Sequence, residues 1–182
     1  MKKRFERLVD ENGGRLLQFA RLLLSQTPDA EDVVQDCLIK LWKHLGRLDP
    51  GAERAWLFTC ARNACLDRLR AQQRRQRFEN SLGFGGGGNP GDALSSSVYR
   101  SSSSSSQEPG ETLEQAERAL LLGRLVGELK EPARSLLILR DIQGQDVSVV
   151  ATILGLSTGQ VKVYTHRARR ALRRKLEEVD HA

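Results

Sequence analysis

Residues 145–176 read QDVSVVATILGLSTGQVKVYTHRARRALRRKL, and this stretch decides the fold of the C-terminal part of the chain. Within it, Ala151, Gly155 and Val161 follow one another at intervals of four and six residues. Where two helices meet at a tight turn, a small residue allows close packing and a glycine permits the turn. A β-branched residue then anchors the second helix inward. The spacing therefore predicts a helix-turn-helix unit.

The second helix of this unit carries a capping signal and a strongly basic face. Ser157-x-x-Gln160 is a capping box at the point where the helix should begin. From Gln160 to Leu176 the chain has seven basic residues and no acidic one. Such a helix suits the groove of duplex DNA, where some basic side chains contact phosphates and others reach base edges. We therefore expect this helix to bind DNA.

The N-terminal part of the chain also has helical periodicity. Apolar residues recur from Phe5 to Leu24, with a weakening at Gly13-Gly14, and from Ala30 to Leu45 at i, i+3, i+4 spacing. A third helix is predicted over about 54–77, ending in a run of arginines. Because no stretch alternates with period two, the predicted fold class is all-α, with two small helical domains.

A segment of low complexity separates the two helical parts. Residues 81–112 contain seven Gly, ten Ser and two Pro. Such a composition buries too little apolar surface to offset the entropy of ordering, so we expect a flexible linker. The predicted domains are residues 1–80 and 113–182, joined by a linker over 81–112.

Composition excludes several classes of protein. The chain of 182 residues has a net charge of +6 and no apolar run near the roughly 20 residues of a membrane span. Three cysteines without a Cys-x-x-Cys motif argue against a disulfide framework and a zinc site. No catalytic constellation is recognisable, and we expect no cofactor, no metal and no direct membrane insertion. The expected location is the cytoplasm.

Three segments together resemble the sigma-70 family of bacterial transcription initiation factors, in its compact extracytoplasmic-function group. Residues 29–42, DAEDVVQDCLIKLW, resemble the family's helix that binds core RNA polymerase. Residues 54–70, RAWLFTCARNACLDRLR, are similar to its helix that recognises and melts the −10 element. Residues 156–162 and 166–169, LSTGQVK and HRAR, resemble its helix that reads the −35 element. The segments occur in the family's order, around its linker.

The resemblance implies a polymerase-binding face on the second helix. Its apolar stripe should face the domain core, and a polar, partly acidic face should remain outside. In the family this face grips the coiled coil of the polymerase's largest subunit. The implied contact residues are Gln35, Asp36, Ile39 and Lys40. Taken alone, such a face is also compatible with a solvated helix surface.

For the −10 element, helical steps of about 100° place an aromatic, an amide and arginines in one sector of the third helix. Such a set can hold single-stranded DNA by stacking, base-edge hydrogen bonds and phosphate contacts. In the family the preceding loop, here residues 48–53, helps to pocket a flipped base. Trp56 is equally compatible with a role in the core. The expected −10 residues are Trp56, Arg62, Asn63, Asp67, Arg70 and Arg74.

For the −35 duplex, the expected contact residues lie on the second helix of the helix-turn-helix unit, although the chain has Val163, Tyr164 and Thr165 where the family usually has small polar, basic and aliphatic residues. The expected −35 residues are Ser157, Thr158, Gln160, Lys162, His166, Arg167, Arg169 and Arg170.

The resemblance also implies control by an anti-sigma factor. Two alternative functions stay open. One is a stand-alone helix-turn-helix regulator, which would leave the N-terminal helices without a role, and the other is a helical adaptor that binds only protein.

Overall fold

The computed structural model describes residues 1–24, 27–81 and 113–180, which form helices and no strand. The prediction of an all-α fold with two helical blocks is confirmed. The predicted linker lies outside the described residues, apart from Ser81. In the N-terminal block the helices are α1 (Lys2–Leu24), α2 (Thr27–His44) and α3 (Glu53–Ser81), with a short 3₁₀ turn at Leu45–Arg47. The C-terminal block has α4 (Leu113–Gly127), α5 (Ala133–Leu137), α6 (Val147–Leu154) and α7 (Thr158–Asp180), with a π-helical turn at Ile138–Ile142.

The N-terminal block is a three-helix bundle in which α1, α2 and α3 all pack against one another. Phe19 of α1 and Phe58 of α3 meet edge to face at its centre, with ring centroids 5.7 Å apart, and both are fully buried. The apolar stripe of α2 supplies the third wall, since Cys37 and Leu41 have no exposed surface. These contacts bury the stripe from which the helix was predicted.

The weakened stripe of α1 does not interrupt its helix, and one residue of α2 differs from its prediction. The helix α1 continues without a break through Gly13 and Gly14, because packing on both neighbours outweighs the low helix propensity of glycine. Trp42, which belongs to the predicted apolar stripe, is 45% exposed and lies edge-on to Phe5 at a centroid distance of 5.1 Å. Trp42 is thus largely outside the core, whereas Leu45, the last residue of the stripe, is fully buried.

The C-terminal block contains the predicted helix-turn-helix. The axes of α6 and α7 cross at 92°, within the range of such units. Gly155 ends α6 in the left-handed conformation with φ +64°, which residues with a side chain rarely adopt. Ala151 and Val161 are buried on either side of the turn. Each of the three residues therefore has the role that the spacing predicts.

The two blocks are packed against each other, and their buried residues join in one apolar cluster. The helix α6 lies against α3, while α4 and the π-helical turn lie against α1. Polar contacts accompany this packing: Arg134 donates to the Leu22 carbonyl at 2.7 Å, and Gln143 donates to the Arg15 carbonyl at 2.6 Å. The contact fixes how the N-terminal and C-terminal surfaces face one another.

No single helix in the described part of the chain is both long and apolar enough to cross a bilayer. By length and composition alone, the bent pair α6 and α7 could do so together. That pair is the helix-turn-helix unit of the block described above.

Candidate polymerase-binding and DNA-binding surfaces

The predicted polymerase-binding residues form one exposed face of α2. Positions i, i+1, i+4 and i+5 lie on the same side of a helix, and all four side chains are exposed. The apolar member, Ile39, has 46% of its surface exposed. The structure therefore brings together an amide, an acid, a base and an exposed aliphatic side chain. They are Gln35, Asp36, Ile39 and Lys40.

An apolar groove adjoins this face, and it includes residues that the sequence analysis did not assign. The groove lies between α1 and α2 and has a volume of about 450 Å³. Phe5 and Leu17 line it from α1, and Leu38 and Trp42 line it from α2, beside Ile39. An exposed apolar groove of this kind suits the apolar side chains of a partner helix. The sequence signal for it is a large aromatic at the end of the α2 stripe.

The predicted −10 residues lie along α3 with different degrees of exposure. Asn63, Asp67, Arg70 and Arg74 are exposed. Asp67 and Arg70 pair with each other, with a hydrogen bond of 2.8 Å between Arg70 Nη1 and Asp67 Oδ1. Of these four predicted residues, the side chains of Asn63 and Arg74 have no hydrogen bond or ion pair with the described residues, and Asp67 and Arg70 form an ion pair.

Trp56 lies at the beginning of the same helix and is half-buried. Its ring packs against the apolar cluster and is tilted against His44, with centroids 5.7 Å apart. One part of the indole thus belongs to the core and another part is open to solvent. Both interpretations of this residue, as a core residue and as a stacking platform, are compatible with its position.

Arg62 faces the C-terminal block. Its Nη2 donates to Glu131 Oε2 at 3.1 Å, and its Nε donates to Ser135 Oγ at 3.3 Å. Its side chain is only 17% exposed. Sequence reasoning assigned this residue to DNA and missed both of its partners, which lie 69 and 73 residues away along the chain.

The connection between α2 and α3, predicted to help pocket a flipped base, is held by an ion pair. Glu53 is 5% exposed and accepts hydrogen bonds from the Gly51 N–H at 2.6 Å and from Arg4 Nε at 2.8 Å. A second Arg4 nitrogen donates to Glu53 and to the Leu48 carbonyl, the latter at 3.1 Å. The N-terminus of α1 thus fixes both ends of this loop.

The predicted −35 residues all lie exposed at the beginning and along the outer face of α7. Two of them also cap the N-terminus of α7. The Ser157 N–H donates to Gln160 Oε1 at 2.8 Å, and the Gln160 N–H donates to Ser157 Oγ at 3.1 Å. This reciprocal pair confirms the predicted capping box. The remaining members of the face are Thr158, Lys162, His166, Arg167, Arg169 and Arg170.

A basic pocket of about 240 Å³ lies beside this face. Arg140, which the sequence analysis did not assign, lines it together with Lys162, His166 and Arg169. Arg169 is also held by Asp141 through two hydrogen bonds of 2.8 and 2.6 Å, which raise the pKa of its guanidinium. The π-helical turn thereby places one acid and one further base next to the recognition helix.

The helix α7 packs normally at the positions where the sequence differs from the family's usual pattern. Thr165 is 7% exposed and donates its hydroxyl to the Val161 carbonyl at 2.7 Å. Tyr164 packs against the core, while Val163 is 48% exposed. Buried polar groups need such hydrogen-bond partners. Because its hydroxyl has one, Thr165 is buried without leaving a polar group unpaired.

The cysteines show the character of packed residues. Burial raises the pKa of Cys37 to about 11 and that of Cys65 to about 12. Such thiols remain protonated and unreactive at neutral pH. Across the described residues there is no group of three or more His, Cys, Asp or Glu side chains that could hold a metal ion.

Two family models match the chain over regions that correspond to the two blocks. The model "Sigma-70 region 2" matches residues 8–75, and the model "Sigma-70, region 4" matches residues 119–172. The first range spans most of α1, all of α2 and most of α3, and the second contains the helix-turn-helix. The exposed faces described above therefore fall within the matched regions.

Curated relatives match over most of the chain. The ECF RNA polymerase sigma factor SigL of Mycobacterium tuberculosis is 32% identical over 174 residues, covering 94% of this chain and 88% of the relative. The RNA polymerase sigma factor CnrH of Cupriavidus metallidurans is 32% identical over 173 residues, covering 94% and 85%. These matches include both blocks and the segment between them.

Solved structures resemble the whole chain. The structure of CnrH in complex with the cytosolic domain of CnrY has a TM-score of 0.65 and 25% identity, and the match covers 98% of this chain and 90% of that one. The sigma factor RpoE of Bartonella quintana, in complex with the anti-sigma factor NepR, has a TM-score of 0.68 and 25% identity, with coverages of 96% and 98%.

Proposed function

The chain belongs to the sigma-70 family of RNA polymerase sigma factors, in its extracytoplasmic-function group. We propose that its three exposed faces bind core RNA polymerase, the −10 element and the −35 element, respectively. The protein directs promoter-specific transcription initiation with RNA polymerase. Its partners are core RNA polymerase and promoter DNA. We assign the N-terminal block, residues 1–80, to polymerase binding and the −10 element, and the C-terminal block, residues 113–182, to the −35 element.

The face on α2 binds the coiled coil of the largest polymerase subunit. What supports this assignment is the exposure of Gln35, Asp36, Ile39 and Lys40 on one side of a well-packed helix. The adjoining groove offers apolar burial beside this polar surface. Interfaces typically combine such an apolar centre with a polar rim.

The faces on α3 and α7 bind promoter DNA in two forms. Asn63 contacts a base of the single-stranded −10 element, Arg70 and Arg74 contact its phosphates, and Asp67 holds Arg70 in place. The residues along α7 contact the −35 duplex, with Thr158, Gln160 and Lys162 nearest to the helix start. The observation that carries this assignment is the capped, exposed basic helix of a helix-turn-helix in the region matched to sigma region 4.

An anti-sigma factor is the expected regulator, and the cytoplasm is the expected location. Of two similar solved structures, one is a complex of a sigma factor with the anti-sigma factor NepR, and the other is a complex of CnrH with the cytosolic domain of CnrY. The apolar groove between α1 and α2 offers a docking place for such a partner. The protein has no catalytic role of its own in this proposal. The stand-alone regulator is not favoured, because it leaves the region matched to sigma region 2 without a function.

Affinity for core polymerase tests the assigned face on α2. Asp36→Arg reverses a charge at its centre, and we expect at least a tenfold loss of affinity for purified core polymerase. Asp10→Arg makes the same change of charge at an exposed position of α1 and is the matched control. Binding of a −35 duplex should be equal in both variants. If Asp36→Arg binds the core enzyme as tightly as Asp10→Arg does, the face has been assigned wrongly.

A further inference from the structure

Val163 is an exposed aliphatic side chain on the helix assigned to the −35 duplex. It has 48% of its surface exposed and lies outside the apolar cluster of the described residues. A β-branched residue also has a lower helix propensity than alanine, so helix formation does not favour a valine here. Neither the core nor the helix therefore explains this side chain. Val163 is also one of the positions at which the chain differs from the family's usual pattern.

Helical geometry places Val163 at the centre of the exposed face of α7 (Thr158–Asp180). The buried residues Val161, Thr165 and Ala168 mark the opposite face of the helix. At 100° per residue, the direction of Val163 lies about 170° from the mean direction of these three residues. The side chain therefore points away from the core. It lies in the second turn of α7, within the part of a recognition helix that typically contacts base edges.

The neighbours of Val163 on this face are polar or basic. Gln160 and His166 lie three residues away and Arg167 lies four residues away, which makes them neighbours on the helix surface. All three are exposed. A surface that surrounds one apolar side chain with basic groups is complementary to a polyanion that presents an apolar group. Duplex DNA is such a polyanion, because its phosphates border a major groove in which thymine presents its C5-methyl group.

The residues of the preceding turn leave the methyl groups of Val163 open to a base. Gly159 lies at i−4, under the surface that a helical side chain at 163 covers. A Cβ at Gly159 would make an ordinary contact with Ser157 Oγ at 3.9 Å, so packing does not require the glycine. The Gln160 Oε1 accepts the Ser157 N–H, and an amide that reads adenine needs this oxygen. Val163 is therefore better placed than Gln160 to contact a base.

We propose that Val163 is a specificity-determining residue of the −35 face, and that it contacts the C5-methyl group of a thymine in the major groove. The inference rests on the proposed function of α7 and names the base that this face prefers at one position. Loss of the methyl group should weaken binding about fourfold, which is about 0.8 kcal/mol, the contribution of one buried methylene-sized group. Replacing the thymine by deoxyuridine removes this methyl group and leaves the hydrogen-bonding groups of the base pair unchanged.

The test uses the full chain bound to core RNA polymerase. From a promoter at which the two initiate transcription, the −35 region would be randomised, and the duplexes bound by the wild-type complex would be enriched and sequenced. In the enriched duplex, each thymine of the −35 element would be replaced singly by deoxyuridine. Competition against the unsubstituted duplex would then measure the relative affinity of each.

The test variant is Val163→Ala, and Val179→Ala is its matched control. Both shorten an exposed valine of the same helix, since Val179 is 43% exposed. Val179 lies 16 residues further along α7, or about 24 Å away along the helix axis. Alanine has the highest helix propensity and neither valine is buried, so both variants should fold.

We expect one thymine whose replacement weakens binding about fourfold in wild type and in Val179→Ala. Val163→Ala should bind the two duplexes equally, because it lacks both γ-methyl groups. The inference is overturned if the enriched element contains no thymine, if no replacement changes the affinity, or if Val163→Ala responds as wild type does. A loss of affinity of Val163→Ala for core polymerase in the absence of DNA would assign the side chain to a protein contact and would also overturn it.

The methyl contact and the proposed function can fail separately. If transcription starts depend on the protein but no deoxyuridine replacement changes the affinity, the methyl contact is refuted and the sigma function stands. If the protein directs no initiation with core polymerase at any promoter, the proposed function fails, and the inference that rests on it fails too.

Discussion

The buried carboxylate of Glu53 gives a prediction that can be worked from its contacts. One oxygen accepts from two Arg4 nitrogens, and the other accepts from the Gly51 N–H. Glu53→Gln preserves the shape but turns one of these acceptors into a donor. That donor must face either the guanidinium or the Gly51 N–H, so at least one hydrogen bond is replaced by repulsion.

The expected loss is about 2 kcal/mol of unfolding free energy, because a hydrogen bond to a charged group contributes about 1.5–3 kcal/mol. Arg4 limits the loss, since its side chain is 30% exposed and water can solvate it. For a chain of this length, the loss corresponds to a fall in Tm of about 4–8 °C.

The pH dependence of this loss follows from the pKa of Glu53. Burial by itself raises the pKa, but hydrogen bonds from its own backbone, from Arg4 and from Gly51 outweigh burial and lower the pKa below its ordinary 4.5. A depressed pKa contributes stability that is present above the unfolded value and disappears as the pH falls through the folded value. The difference between wild type and Glu53→Gln should thus be full at pH 7 and should shrink below about pH 4.5.

Thermal unfolding followed by circular dichroism, from pH 7 down to pH 3.5, measures this difference. Glu6→Gln is the matched control, because Glu6 forms an exposed pair with Lys2 at 3.8 Å on the same helix as Arg4. Exposed pairs contribute little, so this variant should unfold like wild type. The reasoning is refuted if Glu53→Gln is as stable as Glu6→Gln at pH 7, or if its deficit persists unchanged at pH 3.5.

Three further predictions concern the DNA-binding elements. Asn63→Ala should reduce promoter opening, measured by permanganate reactivity, more than initial promoter binding; equal losses would exclude a base contact. Arg167→Glu should weaken binding of the −35 duplex and make the slope of log affinity against log salt shallower by about one unit, whereas an unchanged slope would exclude a phosphate contact. Ser157→Ala should cost about 1 kcal/mol of unfolding free energy in urea through loss of the cap; no change in midpoint would contradict the observed reciprocal bonds.

Local signals in the sequence predict the helices and the turn well. The spacing of Ala151, Gly155 and Val161 specifies packing and conformation within one short segment, and the structure has each residue in its predicted role. The same holds for the capping box at Ser157 and Gln160, whose partners are three residues apart. Interactions of this range depend on helical geometry alone, which the sequence determines directly.

Contacts between distant elements were not predictable in the same way. The pairing of Arg62 with Glu131 depends on how two blocks meet, and neither residue carries a local sign of its partner. The exposure of Trp42 likewise depends on where α1 ends its packing with α2, since helical periodicity alone places it in the core. The π-helical turn at Ile138–Ile142 places Asp141 within hydrogen-bonding distance of Arg169. No local pattern in the sequence predicted this turn.

Reconstituted transcription tests the central claim most directly. Purified core RNA polymerase and a pool of genomic promoter fragments would be combined with and without this protein, and the 5′ ends of the transcripts would be mapped. The account predicts discrete starts that appear only with the protein, preceded by two shared sequence elements near −10 and −35. Absence of protein-dependent starts, together with failure of the protein to co-elute with core polymerase, would contradict it.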